Sequence, residues 1–140
     1  MSQENVEIVR KTIEARNRDI EEWLTFFHPA AQTSDRLTVA GMRTEAQDLD
    51  ELRRDAEQWH DIFDDFHMEV VELVDLDDLV LAEVRFHGRG GTSGAQVTVP
   101  QVDLYWVSDG LITEQRAGYR SREEALGAVG LSEQDPPADS

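Results

Sequence analysis

The chain has 140 residues, 39% of them hydrophobic and 31% charged, enough for one domain with a real core and a heavily charged surface. Thirty acidic residues against 13 basic ones give a formal net charge of −17, a field that repels phosphate backbones and anionic lipid, so neither nucleic acid nor a membrane surface is an expected partner. With no cysteine, disulfides, thiolate nucleophiles and Cys-ligated metals are excluded.

No apolar run approaches the ~20 residues of a membrane span. Met1 to Arg10 is acidic and polar, without the basic-then-apolar form of a signal peptide. The expected location is cytoplasmic. The surface charge serves either solubility or the recruitment of a basic partner, and both readings stay open.

In chain order, Ser2 is placed to cap a first helix whose stripe is Val6, Val9 and Ile13. Asn17-Arg18-Asp19 breaks it. Ile20, Trp23, Leu24 and Phe27, at i, i+3, i+4 and i+7, predict a second helix that Pro29 stops. Residues 30–47 read as irregular, with a short strand near Gln32 to Asp35. Asp48 and Glu51 form a capping-box variant ahead of a third helix, whose buried face is Leu49, Leu52, Ala56, Trp59 and Phe63.

Beyond Asp64-Asp65 the period changes to two, predicting strands at about 67–76, 79–88, 96–107 and 111–119. Asp77-Asp78 marks a turn, and Ser108-Asp109-Gly110 is a strong hairpin signal. The glycine-rich run from Gly88 to Gly94 leads from strand to strand, not into a helix, and so is not a phosphate cradle. Ser121 and Glu124 cap a short final helix that Gly130 ends. Residues 132–140 are acidic, carry Pro136-Pro137 and read as a disordered tail after a single domain over 1–131. Helices followed by a meander of strands imply an α+β fold with helices covering one sheet face.

One strand stands out for chemistry. Over 96–107, Val97, Val99, Gln101, Asp103, Tyr105 and Val107 share a face by alternation. A carboxyl among valines and a tyrosine is desolvated, which raises its pKa toward the range useful for acid–base work at neutral pH. The bland alternative is a structural carboxylate bonded to Tyr105 or paired with an arginine. The opposite face (Thr98, Pro100, Val102, Leu104, Trp106) is also apolar and would suit a dimer interface, and Pro100 implies a bulge or an edge. Trp23, Phe27, Trp59, Phe63, Val99 and Gln101 are the expected pocket wall. Glu83, Arg85 and His87 read as a solvated or interfacial stripe. The four histidines show no metal-ligand spacing, so no metal and no cofactor are expected. Neither a G-x-S-x-G elbow nor a P-loop occurs.

Several segments are familiar together: Asn5-Val6-Glu7-Ile8-Val9-Arg10, Asn17-Arg18-Asp19-Ile20-Glu21-Glu22-Trp23-Leu24, Phe27-His28-Pro29, the stretch from Phe63 to Asp75, and Ser108-Asp109-Gly110 followed by Ser121-Arg122-Glu123-Glu124-Ala125-Leu126. As an ordered set they resemble the SnoaL-like, polyketide cyclase-like family of the nuclear transport factor 2-like superfamily. That resemblance implies a cone-shaped, curved, mostly antiparallel (mixed) sheet, with three N-terminal helices on its concave face enclosing a pocket and a short C-terminal helix beyond. It also implies a homodimer formed through the sheet.

The superfamily includes ketosteroid isomerases, cyclases, epoxide hydrolases and binding-only members, so the fold does not give the reaction. By analogy with the isomerases, Asp35 falls where their base aspartate sits and Asp103 where their protonated acid sits. Their tyrosine is matched here by Thr12. Arg116 near Asp103 would resemble the Arg–Asp pairs of the epoxide hydrolases. The expectation is a pocket for a small hydrophobic, carbonyl-bearing or polycyclic molecule, worked on by Asp103 with Asp35, Tyr105 and Arg116. A non-catalytic dimeric binding or interaction module is the alternative.

Overall fold

The computed structural model describes residues 2–36, 45–90 and 94–131. Helix α1 (Ser2–Arg18) buries Val6, Val9 and Ile13 along one face, as their spacing requires. The Ser2 side chain lies outside what is described. Asp19 caps the next helix, α2 (Ile20–Leu24), accepting the Glu22 N–H at 3.0 Å.

The expected second helix is shorter than its apolar spacing suggests. It ends at Leu24, and strand β1 (Phe27–Asp35) begins at Phe27. Phe27 is buried from the strand and meets Trp23 edge-on at 5.0 Å, so its apolar character fits either element. Pro29 is inside β1, not a helix stop. Pairing with β6 skips there from Phe27 to Gln32, so the missing proline N–H breaks no ladder bond. Strand β2 (Glu45–Ala46) pairs with Thr33 and Ser34. Of the span read as irregular, 37–44 lies outside the described residues, and β1 and β2 occupy much of the rest.

Helix α3 (Leu49–Ile62) starts as its capping box requires: Asp48 accepts the Glu51 N–H at 2.9 Å, and the Glu51 carboxylate takes the Gln47 N–H at 2.8 Å. Phe63 is not on the helix face. It is extended (φ −121, ψ 130) and opens β3 (Phe63–Asp75), four residues earlier than the period change suggests. Asp65 at φ 55 interrupts the pairing between Asp64 and His67, so the Asp-Asp pair is a kink within a strand rather than a turn before one. Strands β4 (Val80–Gly90), β5 (Gln96–Ser108) and β6 (Leu111–Tyr119) follow close to expectation. Asp109 (φ 52) and Gly110 (φ 81) are both left-handed, as the tight hairpin between β5 and β6 demands. Helix α4 (Arg122–Ala128) is capped by Ser121. It closes with the Leu131 N–H on the Leu126 carbonyl (2.8 Å) and Gly130 at φ 80. The expected tail at 132–140 lies outside the described residues.

Among the described residues the strands form one mixed sheet in the order β2-β1-β6-β5-β4-β3, with β1–β6 the parallel pair. Helices α1 to α3 cover its concave face over Val80, Ala82, Val84, Tyr105 and Ile112. Helix α4 covers part of the convex face over Leu81, Val102, Leu104 and Tyr119. Each fully buried aliphatic side chain contributes about 1.5–3 kcal/mol. Val102 and Leu104, read as dimer-interface candidates, are covered by the chain's own α4 instead. Pro100 pairs with Arg85 of β4, while β6 pairing begins only at Val102, so the proline sits at an edge. No helix is long and apolar enough to cross a membrane.

Candidate functional site

Between the concave face and α1–α3 lies a cavity of about 110 Å³. Its aromatic wall is Trp23, Trp59, Phe66 and Phe86, and its polar wall is Arg16, Asp35, Asp55, Gln101, Asp103, Tyr105 and Gln115.

Asp103 is 1% exposed. Alternation along β5 turns it, with Gln101 and Tyr105, toward the helices, and Gln101 Nε2 donates to its Oδ1 at 2.8 Å. A second donor comes from an irregularity in the neighbouring strand. Between the pairs Leu104–Arg116 and Val102–Tyr119, β5 contributes Asp103 alone while β6 contributes Ala117 and Gly118. Gly118 takes φ 85, open to glycine at no steric expense, and its N–H points at Asp103 Oδ1 (3.0 Å). Among the described residues both donors go to Oδ1, so the two carboxyl oxygens are inequivalent. Burial raises the Asp103 pKa to about 7, outweighing the Gly118 N–H, with the nearby charge of Asp35 pushing the same way and Gln101 opposing it. At neutral pH the carboxyl is about half protonated.

Tyr105 is buried beside it. Burial first, then the charge of Asp103, holds its phenol well above the usual range, so it stays protonated. Gln115 Nε2 donates to its oxygen at 3.3 Å, which leaves the phenolic proton for another acceptor.

The expected site residues divide. Asp103, Asp35, Tyr105, Trp23, Trp59 and Gln101 line the cavity. Arg116 does not. Paired with Leu104, it shares the convex face, lying 4.8 Å over the Trp106 ring and bonding Glu114 at 2.7 Å. Phe27 is core beneath Trp23. Phe63 stacks on Trp59 at 5.8 Å, outside the wall, so close to β4 that a Cβ at Gly88 would sit 2.9 Å from its own. Val99 pairs with Phe86 and does not reach the cavity. Thr12 is buried and bonds the Ile8 carbonyl at 2.6 Å.

Arg16, Asp55, Gln115 and Phe66 were not expected at the site. Arg16 was the most legible of them: it follows Val9 and Ile13 at i+7 and i+3 on the apolar stripe of α1, a position that sends its head inward. Among the described residues, no group of three or more His, Asp or Glu side chains converges as a metal-ligand set.

The fold has many solved counterparts. A hypothetical protein with a ketosteroid isomerase-like fold from Catenulispora acidiphila DSM 44928, in complex with trimethylamine, superposes with TM-score 0.72 at 18% identity, covering 94% of this chain and 98% of that one. TerC co-crystallised with polyporic acid gives 0.73 at 17%, covering 83% and 91%. A candidate SnoaL-like polyketide cyclase from Jannaschia sp. CCS1 gives 0.71 at 18%, covering 96% and 94%. At these identities the likeness is one of fold. No curated protein matches the chain in sequence. The SnoaL-like domain profile matches residues 9–115, most of the chain and every strand from β1 to β5, and the chain belongs to the SnoaL-like domain family.

Proposed function

We propose that this SnoaL-like protein is an acid–base enzyme that moves a proton at a carbon beside a carbonyl group of a small molecule held in the cavity. The observation that carries this reading is Asp103: a carboxyl 1% exposed, in the cavity wall, with one oxygen fixed by two donors and a pKa of about 7. A group of that pKa takes up and returns protons with nearly equal ease at neutral pH. Tyr105 supports the role, since a phenol that cannot ionise and whose oxygen is already an acceptor is set to donate to a developing oxyanion. Asp35 contributes through its charge, which favours the protonated form of Asp103. The aromatic wall supplies the apolar surroundings that keep the carboxyl desolvated. The homodimer and the cytoplasmic location belong to this proposal, as the family's usual setting.

The test is solvent exchange. Protein in D2O is incubated with a panel of small ketones, and loss of the α-proton signal is followed by NMR. Catalysed exchange that Asp103→Asn abolishes, with the fold intact, supports the reading. Exchange that survives Asp103→Asn removes Asp103 from the role. No catalysed exchange with any member, together with ligand-induced shifts at cavity residues, would favour a binding module.

A further inference from the structure

Arg16 is a buried cation in the cavity wall that the acid–base reading does not use. It is 8% exposed. Its guanidinium lies between two rings, 4.8 Å from the centroid of Phe66 and 5.2 Å from that of Trp23. Nη1 donates to His60 Nε2 at 2.9 Å, which requires that nitrogen to be unprotonated, and burial and Arg16 itself keep the imidazole pKa below its usual value. Nη2 reaches the Ala56 carbonyl at a long 3.4 Å.

Among the described residues, no carboxylate oxygen comes within the 4.0 Å of an ion pair with Arg16. More accessible arginines of the same chain, the exposed Arg18 and the half-buried Arg53 and Arg122, all have one. An arginine carries five N–H donors in a planar fork, and the contacts here occupy two. Burial without a counter-ion is unfavourable, and burial lowers the Arg16 pKa only to about 10, so the charge persists at neutral pH. The aromatic clamp offsets part of that penalty. It also holds the guanidinium in one orientation, so a partner binding there loses little further side-chain entropy.

Three carboxyls share the wall and could favour a cation instead. Asp103 is half protonated at neutral pH, and neither Asp35 nor Asp55 is a free charge. Among the described residues that line the space, Arg16 is the cation, and it has no carboxylate in ion-pair contact; around it stand His60 and Asp55 on α3, Asp35 on β1, and Asp103 and Tyr105 on β5.

We infer that Arg16 is the anion subsite of this cavity, and that its ligand is a small organic acid whose carboxylate docks on the guanidinium and whose carbon skeleton lies along the aromatic wall toward Asp103. The assignment of the reacting carbon rests on the acid–base reading. The subsite does not.

Isosteric probes separate the two. Butyrate, butyramide and n-butylammonium are titrated into the wild-type protein and followed by amide chemical shifts. Butyrate is expected to bind about tenfold or more tightly than butyramide, the difference a charged hydrogen-bonding pair makes. Arg16→Gln should bring the two to parity, and Arg16→Lys should retain part of the preference. Equal affinities in the wild type, tightest binding by butylammonium, or no binding by any of the three would each overturn the subsite, whatever the variants do. A butyrate preference retained in Asp103→Asn, alongside a wild type that catalyses no exchange, would sink the acid–base reading and leave the subsite standing.

Discussion

The two faces of the sheet carry similar side chains and put them to different use. On the convex face, Arg122 bridges Glu72 and Glu83, Arg116 pairs with Glu114, and His87 bonds Glu69 at 2.8 Å and Thr98 at 3.1 Å while stacking on His67. These groups are at least partly exposed, and each has a polar partner. In the cavity over the concave face, Asp103 of β5 and Arg16 of α1 are each desolvated and have no opposite charge in ion-pair contact among the described residues. There the pKa values move because of burial, upward for the acid and downward for the base. The outer groups are paired, whereas desolvation without an ion pair is the feature on which the proposed acid–base role and anion subsite rest.

The largest effect that can break this contrast is on turnover. Asp103→Asn should lower catalysed α-proton exchange by about 10²–10⁴-fold, the usual contribution of a positioned acid or base, while Arg122→Ala on the outer face should leave it unchanged.

The next effect is on stability and has a definite sign. The folded-state pKa of Asp103 is raised, so the folded chain keeps a proton that the unfolded chain releases from about pH 4 upward. Stability from this group is complete below that pH and is lost as pH rises through about 7. The gap between about 7 and the ordinary 3.8 corresponds to about 4 kcal/mol. Asp103→Asn keeps an acceptor for Gln101 and Gly118 but cannot ionise. Denaturant unfolding should therefore show the variant gaining on the wild type by about that amount between pH 4 and pH 8. A constant difference across that range would mean that Asp103 titrates normally.

A smaller effect comes from the bulge. Gly118→Ala places a Cβ on a backbone at φ 85, which costs about 1–2 kcal/mol. If the bulge relaxes to escape that strain, the N–H leaves Asp103 and the Asp103 pKa rises further, since that hydrogen bond holds it down. An unfolding curve and a pH titration of the same variant test both parts.

Smallest of all, Arg116→Ala should change stability by about 1 kcal/mol or less, since its pair with Glu114 is half-buried and still reached by solvent. A severe loss of activity there would restore the epoxide hydrolase-like pairing that the strand register argues against.

The sequence made Asp103, Gln101 and Tyr105 legible because alternation along β5 is unbroken: its pairing with β4 runs without a shift, and the extra residues in its pairing with β6 belong to β6. Asp48 and Ser121 were legible as caps because their bonds are local. Arg116 was not, because its side follows from pairing with Leu104, and β6 shifts its own alternation one residue later at Gly118. The limit of α2 was hidden for a different reason: Phe27 is apolar whether it faces the core from a helix or a strand, and Pro29 is tolerated in β1 only where the ladder has a gap. Arg16 was visible in the helical spacing of α1, but recognising it needed the cavity beneath, which depends on Phe66 and Trp23 arriving from β3 and α2.

The most direct test of the account is the pH titration of the Asp103 side-chain carboxyl by carbon NMR, assigned through Asp103→Asn. A midpoint of about 7 is the expected result, and it would establish the desolvated carboxyl that the proposed role requires. A midpoint at or below about 4 would show a solvated or paired aspartate and contradict the central claim.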